Sequence, residues 1–495
     1  MGKTLKEEKN EIVVTEIVRL GEKLVLPEKM TAEDAVKLLQ ARMAYEETRV
    51  EIVRTLNTFI WDGANALAEA LDEKFGWAQA VNNPSFWSDG IPKLITMEIG
   101  IGKTKQIPWG KFQLPGIDGF VVTQAIKKDG RWIFQVTATV KRKHEVEMHE
   151  LFRLMETKLA EKSIYRGKAI AVRFKDDDGE TIPLPEPKFM DVAKANPKQL
   201  ILPKAVKADI EVNLFTPISR MDECKALGIP TKRGVLLAGR FGVGKTLAAR
   251  IAGKLAVDNG ITYVYCQRSD EFAEVVEFAK QYQPSVVFCE DIDRVLKGGR
   301  DQDMDHILNT IDGIDNKDAD VIVVLTTNSM KEINAAMLRP GRLDAVIWVA
   351  EPDAEAVVEL IRMYGGKLVA KETDEALLQV GHDLAGQIPS VIREVVERSK
   401  LAALNLLKRG EPLTAVSASA LKTASHSMKV QLDLLHDKQN EQPEPGDMEI
   451  LGNVLGEYIA RAVSNSFDED PRTAELLRDG VAISGIRMKE LSSVD

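Results

Sequence analysis

The chain has 495 residues and a formal net charge of −10, from 66 Lys and Arg against 76 Asp and Glu, with 44% hydrophobic and 29% charged residues. This balance excludes a disordered chain and leaves room for about three domains. It also argues against a non-specific nucleic-acid coat, because such binding comes from neutralising phosphates. Cys224, Cys266 and Cys289 include no CxxC pair, which points to a reducing compartment rather than a disulfide scaffold or a cysteine zinc site. No apolar run approaches the ~18–20 residues that span a bilayer. The opening MGKTLKEEKN lacks the apolar stretch of a secretory signal and the Ser or Thr at position 6 of a myristoylation site. The expectation is a cytoplasmic protein without a membrane segment.

In chain order, residues 1–90 read as a helical N-terminal region. Thr31 and Asp34 have capping-box spacing. Leu38, Leu39 and Met43, then Val50, Val53, Leu56 and Ile60, then Leu67 and Leu71 recur at helical spacing over about 31–76. Residues 91–195 read as an α+β partner-binding domain. Asp129-Gly130 between two alternating runs signals a hairpin, a helix is expected near 144–161 and a strand near 167–174, and KDDDGETIPLPEPKF reads as a loop. Trp61, Trp77, Trp87, Trp109 and Trp132 are expected in the core of this half, an aromatic recognition face being the other reading. Residues 196–350 alternate helices with short continuous apolar strands, the pattern of a parallel sheet covered on both faces. Residues 351–437 read as all-helical, and 438–495 as a linker followed by two short helices.

The deciding motif is Gly239-Arg240-Phe241-Gly242-Val243-Gly244-Lys245-Thr246, a match to GxxxxGK[ST] between an apolar strand and an amphipathic helix, and Leu247 is counted with it among the nucleotide-binding residues. Glycines let backbone N–H groups turn inward on phosphates. Lys245 brings positive charge to the β- and γ-phosphates, Thr246 offers a hydroxyl to Mg²⁺, and the helix N-terminus faces the anion. EIGIGKT at 98–104 is a decoy, with Met97 where the first glycine belongs. A second apolar strand, from Ser285, ends in Glu290-Asp291, paired acids suited to a metal hydration shell and to an attacking water. A third, from Val321, ends in Thr326-Thr327-Asn328, and Asn334-Ala-Ala-Met-Leu-Arg339-Pro-Gly-Arg342-Leu-Asp344 follows.

These four strings resemble the AAA ATPases, a branch of the AAA+ superfamily, over about 200–435. The resemblance implies a P-loop α/β sheet with a helical lid, MgATP hydrolysis to ADP and phosphate, and a homo-oligomeric ring, hexamer or heptamer. It implies that Asn328 stands where sensor 1 stands, that Arg339 and Arg342 stand where the arginine fingers reach a neighbour's γ-phosphate, and that Gln387 lies where the lid closes over base and ribose. By register Glu290 takes the metal slot and Asp291 the catalytic slot, an inversion of the usual Asp-Glu order. That inversion, and the short interval after Cys266, are similar to the mitochondrial AAA chaperone subgroup that handles the Rieske iron–sulfur protein.

In that interval 17 residues, 267–283, precede Pro284, and Phe272, Val275, Val276, Ala279 and Tyr282 read as an amphipathic helix capped at Asp270. No aromatic-hydrophobic-Gly pore motif is present there, so threading by an aromatic loop is not expected; LKGGRDQDMD at 296–305 is a charged candidate for a second pore loop. His144 and His149 are spaced i, i+5 rather than the i, i+4 of a zinc protease helix. The resulting expectation is an ATPase ring that remodels or translocates a partner, a protein rather than a nucleic acid. A nucleic-acid motor or loader, and a weakly hydrolysing ATP-gated scaffold, are the rivals.

Overall fold

A computed structural model describes residues 5–8, 11–14, 18–20, 23–27, 30–82, 90–293, 320–329 and 342–437. Two compact units result, Met1–Val396 and Glu397–Asp495. The first begins with two short hairpins, β1 (Leu5–Glu8) with β2 (Glu11–Val14) and β3 (Val18–Leu20) with β4 (Lys23–Val25), before α1 (Ala32–Glu46). Thr31 caps α1 as its spacing predicts, its Oγ1 accepting from the Asp34 N–H at 3.2 Å.

The continuous helical reading of 31–76 is corrected at its centre, where β5 (Arg49–Leu56) separates α1 from α2 (Ile60–Phe75). Ile52 and Leu56 are buried and their odd-numbered neighbours exposed, a period of two. The strand forms because it pairs antiparallel with β10 (Arg131–Lys141), a partner 80 residues away that local spacing does not reveal. Between them come β6 (Lys93–Gly100), β7 (Lys103–Trp109), β8 (Lys111–Phe112) and β9 (Gly119–Lys128). The expected hairpin joins β9 to β10. Asp129 at φ 51° and Gly130 at φ 77° place two left-handed residues in its turn, a geometry that Asp-Gly tolerates. The decoy GIGK forms the turn of the β6–β7 hairpin.

α2 and α3 (Glu145–Glu161) pack on the four-stranded sheet β5-β10-β9-β8. Trp61 and Trp109 lie in this core with ring centroids 5.1 Å apart, whereas Trp77 is 97% exposed. The boundary expected at 90 therefore divides one body, since β5 and α2 share their core with strands from beyond it. The boundary at 195 is corrected as well. β11 (Ala169–Val172) and β12 (Lys188–Phe189) belong to the large sheet, whose order is β12-β11-β14-β15-β16-β13-β17.

Three short helices, α4 (Lys204–Ile210), α5 (Thr216–Ser219) and α6 (Met221–Ala226), lead to β13 (Arg233–Ala238) and α7 (Lys245–Asp258). Then follow β14 (Thr262–Cys266), α8 (Phe272–Lys280), β15 (Ser285–Cys289), β16 (Val321–Thr327) and β17 (Ala345–Trp348). Within this seven-stranded sheet every strand pairs in parallel except β12. β15 and β16 are buried along their whole length, as apolar runs covered on both faces must be. α9 (Ala354–Gly365), α10 (Asp374–Leu384) and the start of α11 (Pro389–Asn405) complete the first unit. The second contains the rest of α11 and α12 (Ala418–Asp437), where the Arg398 guanidinium donates to Gln431 Oε1 at 2.6 Å. The linker, the two C-terminal helices, the 296–305 segment, Trp87 and Arg339 lie outside the described residues. No helix among the described residues is long and apolar enough to cross a membrane.

Candidate functional site

Parallel strands deliver their C-terminal ends to one edge of the sheet, and β13, β15 and β16 end there together. Between β13 and α7 the chain bends around Gly239, where a Cβ would stand 2.4 Å from the Val349 carbonyl oxygen, a distance no side chain tolerates. Gly244 caps α7, so the helix begins with Lys245, and its first N–H groups face the loop.

A cavity of about 620 Å³ opens above this loop. Phe241, Gly242, Val243, Gly244, Lys245, Thr246 and Leu247 line it, together with Glu290, Asp291 and Asn328, so three of the four sequence strings meet in one place. The volume lies within the ~300–1,000 Å³ range of small-molecule sites. Gly239 and Arg240 take part through their carbonyls rather than their side chains, accepting from Lys245 Nζ at 2.7 and 2.8 Å.

Lys245 is 7% exposed, and burial pulls its ammonium below the usual lysine range, opposed by Asp291, Asp293 and Glu290 in that order. It donates to Asn328 Oδ1 at 2.7 Å, and Asn328 Nδ2 donates to Asp291 Oδ1 at 2.7 Å. An asparagine amide thus links the cradle lysine to the second acid. Asp291 adopts φ 48°, an uncommon conformation for a residue with a side chain. Its N–H donates to Thr326 Oγ1 at 3.0 Å, and Asp293 holds the same strand end by accepting from Thr327 Oγ1 and the Asn328 N–H, both at 3.1 Å.

Glu290 turns the other way, accepting from the Tyr265 hydroxyl at 2.7 Å. Burial first, then Glu290, push that phenol far above its usual range, so it remains a donor. Thr246 and Glu290 place two hard oxygen donors on the cavity wall. That suits Mg²⁺, which takes one or two protein oxygens and completes its shell with phosphate and water.

The sequence did not reveal the rest of the wall. Gln199, Leu200 and Ile201 come from the strap before α4, Arg250 from the second turn of α7, and Leu360, Tyr364 and Pro389 from the lid helices. Gln387 is corrected. It does not line the cavity, and its backbone N–H closes the turn after α10 on the Leu384 carbonyl, while Ile388 packs beside Gly242. Arg342 lies at the opposite end of β13, where Asp344 Oδ2 accepts from the Gly234 N–H at 2.9 Å and the Asp344 N–H donates back at 2.8 Å. The 267–283 interval folds into α8 with the expected apolar residues buried, but Asp270 does not cap it and instead accepts from Arg268. His144 and His149 pair with Glu147 and Glu145 on the first turns of α3.

Residues 235–351 match the family model of the ATPase family associated with various cellular activities (AAA). The chain is 27% identical over 234 residues to the ATPase family gene 2 protein of Saccharomyces cerevisiae, covering 44% of this chain and 30% of that protein. It is 33% identical over 209 residues to the chloroplastic ATP-dependent zinc metalloprotease FTSH 1 of Oryza sativa, covering 38% and 28%. With the human ATPase family gene 2 protein homolog A it shares 26% over 226 residues, covering 42% and 25%. The chain thus spans less than a third of the length of these curated relatives. The cradle, the paired acids and Asn328 at the ends of three parallel strands, together with the match over 235–351, identify an AAA ATPase domain within this chain.

Proposed function

We propose that the chain binds MgATP in the cavity above the cradle, hydrolyses it, and works as a homo-oligomeric ring whose cycle remodels or moves a protein partner. The observation that carries this reading is the hydrogen-bonded run Lys245–Asn328–Asp291. It joins the group that neutralises the terminal phosphate to the carboxylate that orients the attacking water. Lys245 turns the two donors now on the Gly239 and Arg240 carbonyls to phosphate oxygens and keeps the third on Asn328 Oδ1. Asn328 then holds Asp291 and the water in line with the scissile bond. Asp291 accepts the hydrogen bond of that water. Thr246 and Glu290 would hold Mg²⁺, which when bound would supply neutralisation of the phosphate charge.

The position of Arg342 favours action on a neighbour. Five residues of strand, about 16 Å at 3.3 Å per residue, separate the Gly234 end of β13 from the Gly239 end. Arg342 therefore stands away from its own cradle, which suits a guanidinium that serves the next protomer in a ring of six or seven. Arg339 is proposed for the same role. A protein partner fits the net charge of −10 better than a polyanionic one.

The test is steady-state ATP turnover of the purified chain and of Lys245→Ala. Loss of the lysine is expected to lower kcat at least ~100-fold, the scale of removing one preorganised charge partner. Unchanged turnover in Lys245→Ala sinks the reading.

A further inference from the structure

We propose that Tyr265 is a positioning residue for this hydrolytic site, tying Glu290 to β14 so that the two adjacent acids stay on opposite sides of the end of β15. The inference rests on the MgATP reading above. In the sheet, β15 lies between β14 and β16. On the β16 side, Asp291 is held by Thr326 Oγ1 and Asn328 Nδ2. On the β14 side, Tyr265 pairs in register with Phe288, their rings stacked 5.5 Å apart at 20°, and its hydroxyl reaches past the strand end to Glu290 Oε2 at 2.7 Å.

Two neighbouring carboxylates are thus drawn apart by tethers of opposite direction. The inverted order makes the tether necessary. Glutamate is a methylene longer than aspartate, so an unheld Glu290 reaches toward the amide and ammonium that serve Asp291. With one carboxylate oxygen engaged by Tyr265, the other is left for the metal's hydration shell. The stacked ring keeps the hydroxyl in place without a flexible arm.

Removing a partner of this kind costs ~10–100-fold in metal affinity or activity. Tyr265→Phe keeps the stacked ring and deletes only the hydroxyl. Binding of a fluorescent ATP analogue, followed while magnesium chloride is titrated, is expected to need about tenfold more Mg²⁺ in Tyr265→Phe. Metal-free binding and the melting temperature stay as in the unaltered chain. kcat falls on the same scale with KM for MgATP at saturating Mg²⁺ little changed. In a Glu290→Ala background, Tyr265→Phe is expected to add nothing to either readout.

An unchanged Mg²⁺ titration in Tyr265→Phe overturns the proposal. So does an equal effect with and without Glu290, which marks the tyrosine as packing alone. The metal titration needs no turnover, so absence of ATP hydrolysis by the unaltered chain defeats the ATPase reading while the titration still decides on Tyr265.

Discussion

The phosphate cradle and the N-terminal body are built by opposite strategies. The cradle is contiguous: within eight residues, Gly239 to Thr246, the chain supplies the bend, the buried ammonium and the helix start. The N-terminal body is assembled from distant pieces and is joined to the ATPase sheet through α8. Phe59 meets Phe278 edge-on at 5.0 Å, and the Phe59 N–H donates to the Tyr282 hydroxyl at 3.1 Å. Gln281 Nε2 donates to the Trp132 carbonyl at 3.0 Å, and Arg131 pairs with Glu277 at 3.3 Å. One hydrophobic core runs from Ile52 through α8 to Leu343. α8, in the interval 267–283, is thus a structural wall on which both the N-terminal body and the ATPase sheet pack.

The largest effect that sharpens this contrast is expected at Asn328. Asn328→Ala removes the only described amide between Lys245 and Asp291 and is expected to lower kcat ~100-fold while the melting temperature stays within a degree or two. A fall in stability that matches the loss of turnover makes Asn328 a scaffold residue and breaks the contrast. The reverse pattern is expected at Asp62, in the first turn of α2. It is 1% exposed and accepts from Ser163 Oγ at 2.6 Å, the Ile164 N–H at 2.9 Å and Thr58 Oγ1 at 3.2 Å. Asp62→Ala strands the buried Ile164 N–H and is expected to cost about 2 kcal/mol in denaturant unfolding, with ATP affinity unchanged.

A smaller effect at the same residue is its pH dependence. Burial, partly offset by the Ser163 bond, raises the Asp62 carboxyl above its ordinary value. The folded chain therefore keeps that proton to higher pH than the unfolded chain. The stability Asp62 contributes is full below the unfolded value and is lost as pH rises through the folded one. The difference in unfolding free energy between the unaltered chain and Asp62→Ala is expected to be greater at pH 5 than at pH 8. An equal or opposite difference contradicts the assignment.

The same contrast explains what the residues disclose unaided. Gly239 to Thr246 is legible because its geometry is local, and the ends of β15 and β16 follow from apolar runs that stop at acids and an amide. The segment 49–56 misleads because Val50, Val53, Leu56 and Ile60 satisfy helical spacing, while Ile52 and Leu56 satisfy a strand that only β10 brings into being. β11 joins the large sheet through pairing with β14, almost a hundred residues later, so a boundary drawn on composition falls in the wrong place. Gln387 was expected against the base, whereas the lid residues that line the cavity are Leu360, Tyr364 and Pro389, because the fold rather than a motif sets how α9 and α11 face the cradle. Tyr265 had a signal that aligning β14 with β15 exposes, since it stands beside Phe288, two residues before Glu290.

The most direct measurement mixes two inactive proteins. Asp291→Asn lacks the carboxylate proposed to orient water, and Arg342→Ala lacks the guanidinium proposed to serve a neighbour. Each is expected to be nearly devoid of ATP turnover alone. Co-assembled at equal concentration, they place an intact Asp291 beside an intact Arg342 at a share of the interfaces, and turnover is expected to return above the sum of the two. A mixture no more active than that sum contradicts a site completed by the adjacent protomer.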